Sequence, residues 1–213
     1  MSDASYVNEL TPEDAMNILW LHGEKIWEKI DDKIWKRELV GPSWVWAYEA
    51  IERLEHGPEP ETLIELVEPT EYERNEIYQL WSKLSEKQRE KLIRDITRDL
   101  AERGFAEFLD TLASGLTTFI NMSAESNYER RRVLKDVLDK AYQFLDGKIS
   151  FDELMNYIAE LLSIQERSSH PELFTKGVAL GKYLTRTELK KLVDKLLVGD
   201  LDRELSKYPE PYW

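Results

Sequence analysis

"DGKISFDEL", residues 146–154, decides how the chain is read, because the same letters can close a calcium loop or join two helices. Aligning Gly147 with the obligatory glycine of a calcium loop sets Asp146 at the fifth position, Ile149 at the eighth and Glu153 at the bidentate twelfth. The first and third positions then fall on Tyr142 and Phe144, which lack the carboxylate oxygens a hard cation requires. The helical reading uses every letter. Leu134, Val137, Leu138, Ala141 and Leu145 form the stripe of one helix, Gly147 takes the left-handed position past its end, and Ser150 with Glu153 opens the next. That next helix has its own stripe in Phe151, Leu154, Met155, Ile158, Leu161 and Leu162, so the stretch predicts an antiparallel helix pair and no metal.

The same start signal recurs outward from this pair. Thr70 with Glu73, Ser85 with Gln88, Ser126 with Glu129 and Thr185 with Glu188 all have capping-box spacing, and Thr11 precedes a proline at the first helical position. Between these starts apolar residues recur at three and four, with no alternating run of β-branched residues. The chain therefore reads as all-α, an irregular multi-helix bundle. Helices are expected over 12–38, 43–56, 61–67, 71–84, 86–103, 105–121, 126–145, 151–165, 171–184 and 186–198. No fixed-period repeat appears.

The first of these is long, amphipathic and tryptophan-rich. Met16, Leu19, Trp20, Gly23, Ile26, Trp27, Ile30 and Ile34 share a stripe opposite Asp14, Glu24, Glu28 and Asp32. Such a seam needs cover, either from the 43–56 helix carrying Trp44 and Trp46 or from another subunit. Gly23 within it either permits close backbone approach or breaks the helix. "HGPEPE", residues 56–61, forbids a continuous helix. The expected organisation is an acidic, Trp-rich hairpin or extension over 1–56, a hinge at 57–61, a helical core over 62–206 and an extended tail over 207–213.

Of 213 residues, 42% are hydrophobic and 33% charged, a balance that supports a folded core. The net charge of -13 is concentrated in residues 1–69, which hold 16 Asp+Glu against 6 Lys+Arg. That third repels nucleic acid and membrane phosphates, and it suits either solubility or a basic protein partner. The absence of cysteine removes disulfides, thiolate nucleophiles and zinc-thiolate sites. No apolar run reaches the roughly 20 residues of a membrane span, so a cytoplasmic or intravirion location is the default expectation. The Glu, Lys and Arg content leans toward a heat-adapted source.

Catalytic signatures fail one by one. His22, His56 and His170 lack the spacings of helical metal sites and read as surface or capping residues. "GVALGKY", residues 177–183, has one residue too few for a phosphate loop, and Gly177 and Gly181 sit one helical turn apart, as close helix packing requires. Lys87, Lys91, Arg94 and Arg98 line the face opposite Ile93, Ile96 and Leu100, while Arg130, Arg131 and Arg132 with Lys135 form a second basic patch. Both read as salt-bridged solvent faces or as phosphate contacts. "KYPEPYW", residues 207–213, favours an extended arm whose Tyr208, Tyr212 and Trp213 dock in a groove of the same or a neighbouring subunit.

The functional expectation is a non-enzymatic interaction or assembly subunit, possessing no cofactor and no recognisable small-molecule substrate. It works through protein partners or copies of itself and uses Trp20, Trp27, Trp35, Tyr208, Tyr212 and Trp213. The alternative is a nucleic-acid-associated helical protein using the two basic faces.

Overall fold

Each helix start announced by a capping residue is present, because each is a local bond between a side chain and the chain three residues on. In the computed structural model, which describes residues 5–164 and 170–210, the side chains of Thr11, Thr70, Ser85, Ser126, Ser150 and Thr185 each accept from the backbone N–H of the third residue onward. Thr11 with Asp14 and Thr185 with Glu188 complete the reciprocal box. The chain is all-helical, and the described residues contain no strand.

A short 3-10 turn, Ser5–Glu9, leads into α1 (Pro12–Trp35), α2 (Ser43–His56), α3 (Pro60–Val67), α4 (Glu71–Ser82) and α5 (Glu86–Ser123). There follow α6 (Asn127–Leu145), α7 (Phe151–Leu161), α8 (His170–Gly181) and α9 (Arg186–Leu192). A stretch of π-helix, Val193–Val198, then runs into α10 (Gly199–Leu205). No helix among the described residues is long and apolar enough to cross a membrane.

Two compact units divide the chain, residues up to Gly104 and residues from Phe105 onward. In the first, α1 packs against α2, α3 and α4, and the 3-10 turn against α4. The seam of α1 is thus covered within the chain, by three helices rather than by α2 alone. Gly23 permits a further close approach, by α5: a Cβ there would lie 2.6 Å from the Ile96 side chain. In the second unit, α6 packs against α7, the π-helical stretch and α10. Phe105, Phe108, Phe144, Phe151 and Phe174 form a chain of ring contacts with centroids 5.6–6.1 Å apart. Gly177 and Gly181 present bare backbone to it, since a Cβ on Gly177 would overlap the Phe108 ring and one on Gly181 would lie 2.9 Å from Phe105.

The opening stretch is a helix pair. Gly147 has φ +77°, Lys148 N–H bonds back to the Gln143 carbonyl at 2.8 Å, and Ser150 caps α7. Both residues at the would-be ligand positions are otherwise engaged: Tyr142 donates to Asp202 at 3.1 Å and Phe144 is buried.

Several boundaries differ from expectation, α7 stopping at Leu161 rather than 165 and α8 at Gly181 rather than 184. α1 stops at Trp35 rather than residue 38, because Arg37 adopts a left-handed conformation, φ 62°, without being glycine. The expected interruption at residue 104 is absent, since α5 runs on through a buried Gly104. Its apolar period of Leu100, Ala101, Phe105, Phe108 and Leu109 never breaks, and one interior glycine costs only about 1 kcal/mol. The last expected helix continues to Leu205 through the π-helical stretch.

Candidate interaction surface

α1 has three kinds of surface. Its fully covered face carries Ala15, Leu19, His22, Gly23, Ile26 and Ile30. This face is rotated from the expected stripe, which moves Trp20 and Trp27 to its margin, where both are half-buried. Trp35 lies on the opposite side and is 85% exposed, with Val40 84% exposed in the following turn. An indole left in water at the end of an otherwise well-packed helix is the largest exposed apolar side chain described.

On the packed side, α1, α2 and α3 leave a groove of about 450 Å³. Its floor is Ile26, Ile30, Leu39, Trp46, Ala50 and Leu66, and Trp46 is fixed by donating its indole N–H to the Val40 carbonyl at 3.1 Å. Lys33 and Arg53 on its rim pair with Glu68 and Glu65.

His22 is buried, at 5% exposure, and so is neither a surface nor a capping residue. Its Nε2 lies 2.8 Å from Glu76 Oε1, which makes Nε2 the protonated nitrogen facing a carboxylate. Tyr6 donates to the other Glu76 oxygen, and burial followed by that bond pushes the Tyr6 hydroxyl well above the usual phenol range. Nδ1 of His22 has no hydrogen bond among the described residues, the nearest carboxylate oxygen being Glu73 Oε2 at 3.8 Å. Glu73 is in turn tied to Thr70 and Lys25. The cluster fastens the 3-10 turn and α4 to α1, and its residues do not line the three cavities described among these residues. Its signal in the sequence was the 3–4 spacing of Leu19, His22 and Ile26. His56, by contrast, is an exposed residue at the end of α2, with Nδ1 2.7 Å from the Glu52 carbonyl; the side chain of His170 lies outside the described residues.

Lys87, Lys91, Arg94 and Arg98 are all exposed along α5. Lys91 pairs with Asp95 at 2.8 Å. Trp20, Lys91 and Arg98 come together in one depression of about 400 Å³, where Asp95, Asp99 and Glu102 join them. Burial holds the Asp99 carboxyl above the usual range against the pull of Arg103. Carboxylates outnumber cations there, an arrangement that disfavours phosphate.

In the second unit, Arg130 turns inward to the carbonyls of Asn121 and Ala124. Arg131 donates to the Tyr208 carbonyl at 2.7 Å and to Glu210 at 3.0 Å, and Lys135 lies 3.5 Å from the same carboxylate. Arg132 is exposed, 3.9 Å from Glu129. Tyr208 donates to Asn121 at 2.8 Å, so the start of the tail docks within its own chain. Tyr212 and Trp213 lie outside the described residues. Comparison with protein-family models, with curated proteins and with solved structures finds no match to this chain.

Proposed function

We propose that the chain is a non-enzymatic helical interaction or assembly subunit whose contacts are made through the first unit, around α1. The observation that carries this reading is Trp35, 85% exposed on a helix whose opposite face is entirely covered. Burying an indole of that kind against a protein surface contributes a few kcal/mol, the scale on which interface anchors act. The cysteine-free composition suits a reducing setting, the cytoplasm or the interior of a virion.

A photo-crosslinking amino acid at position 35, with position 128 as an exposed aromatic control, tests the reading in cells that make the protein. Adducts to protein from position 35, absent from position 128, are expected, and their mass separates a second copy from another chain. Adducts from neither position overturn the reading. A second reading, nucleic-acid association, draws support from the unbroken exposure of Lys87, Lys91, Arg94 and Arg98 along one helix. Solution mass with and without an oligonucleotide discriminates: a complex that weakens steeply with salt, and less steeply after Lys91→Gln and Arg94→Gln, favours phosphate contacts.

A further inference from the structure

We infer that the outward face of α1 is a docking row for a basic helical segment of a partner protein, an inference that rests on the interaction reading above and names the partner's chemistry. Asn17, Leu21, Glu24, Glu28, Asp31 and Trp35 follow one another at alternating spacings of four and three, so they form a single straight row opposite the covered face. That 3–4 alternation is the period by which one helix packs along another. Leu21 is 56% exposed and Trp35 85%, and about 21 Å of helix separates them, the length of two heptads.

Between these apolar ends stand Glu24, Glu28 and Asp31, none with an ion-pair partner among the described residues. Three other charges of α1 pair inside the chain, Lys25 with Glu73, Lys33 with Glu68, and Asp32 with Lys36. Asp99 of α5 lies close enough to Glu24 to feel its charge, while its own carboxylate pairs with Arg103. The carboxylates alone would be a solvated face. Bracketed by two exposed apolar side chains in register, they specify an occupant: lysines or arginines in the middle, an apolar residue at each end. The same field repels phosphate polymers, anionic membranes and further copies of a chain with net charge -13.

The probe is a synthetic helical peptide with apolar residues fourteen apart and lysines between. It is titrated against the full chain beside two controls, one with the apolar residues ten apart and one with glutamates for lysines. The first peptide is expected to bind at least about ten-fold more tightly than either control. Trp35→Ser, and separately the triple change Glu24→Gln, Glu28→Gln and Asp31→Asn, should each weaken it about ten-fold or more. Removing the same charge elsewhere, by Glu59→Gln, Glu61→Gln and Glu86→Gln, should change it less than about two-fold. Equal weakening by both triples, or indifference to the apolar spacing, overturns the inference and reduces the row to diffuse charge. Circular dichroism confirms that each variant is folded. Protein adducts from position 35 combined with no peptide selectivity would leave the interaction reading standing and remove only this partner.

Discussion

At Gly177 the absence of a side chain is a packing requirement, because the space a Cβ would take is already filled by the Phe108 ring. Gly177→Ala should therefore lower stability by about 1–3 kcal/mol in a denaturant titration, the usual cost of overpacking. Gly115→Ala, on an exposed stretch of α5 with nothing within 4 Å, should raise it by up to about 1 kcal/mol through helix propensity alone. Glu204 makes a parallel case with charge. Its carboxylate is held below the usual range first by the Lys207 ammonium, then by Asn121 and Tyr208, against the opposing effect of burial. A lowered folded-state pKa contributes stability above the unfolded value of about 4.3 and loses it as pH falls through the folded one. Glu204→Gln should thus melt lower than the parent at neutral pH, and the gap should close in acid; a gap that widens in acid would contradict the sign. The spacing of Gly177 and Gly181 was legible in the sequence. Glu204 was not, because Asn121 reaches it from 83 positions away.

Helix starts and helix ends differ in how openly they are written. Ser150 and Thr185 announce their helices because a cap is a bond across three residues, and Gly147 announces an end because glycine enters the left-handed region without strain. The end of α1 carries no such letter. Arg37 takes φ 62° where Glu38 and Leu39 bond back to the Lys33 carbonyl, at 2.8 and 3.2 Å, and the Trp46 indole N–H holds the following Val40 carbonyl. Arg37→Gly should accordingly stabilise the protein by about 0.5–1 kcal/mol, seen as a higher denaturation midpoint at unchanged slope. No change, or a loss, would mean that the arginine side chain contributes more than its backbone costs. The same contrast explains the candidate surface. The stripe of α1 was readable from its period, while its rotation, which buries His22 and leaves Trp20 and Trp27 at the margin, was set by which helices came to lie over it.

Across the whole molecule, 42 Asp+Glu face 29 Lys+Arg, and the first 69 residues hold most of the surplus. Surface repulsion of that size opposes the compact state and is screened within about 10 Å at 0.1 M salt. The melting temperature should rise by a few degrees between 0.01 and 0.5 M sodium chloride; a fall would show that ion pairs such as Lys91 with Asp95 outweigh the surplus. The C-terminal part of the chain also contains the π-helical stretch at Val193–Val198, whose wider turns accommodate one residue more than an α-helix of the same length. In the currency of insertion and deletion this is a stored register shift. Losing a single residue there would let the chain run as ordinary α-helix from Arg186 to Leu205, and every side chain beyond would keep its place, because the wider turns have already absorbed the extra residue. Leu201 would stay in the core and Glu204 beside Asn121, whereas α-helical geometry imposed with the extra residue retained would turn both by about 100°. A stretch whose buried Val193, Leu197 and Val198 resist polar substitution letter by letter is thereby open to the loss of one residue.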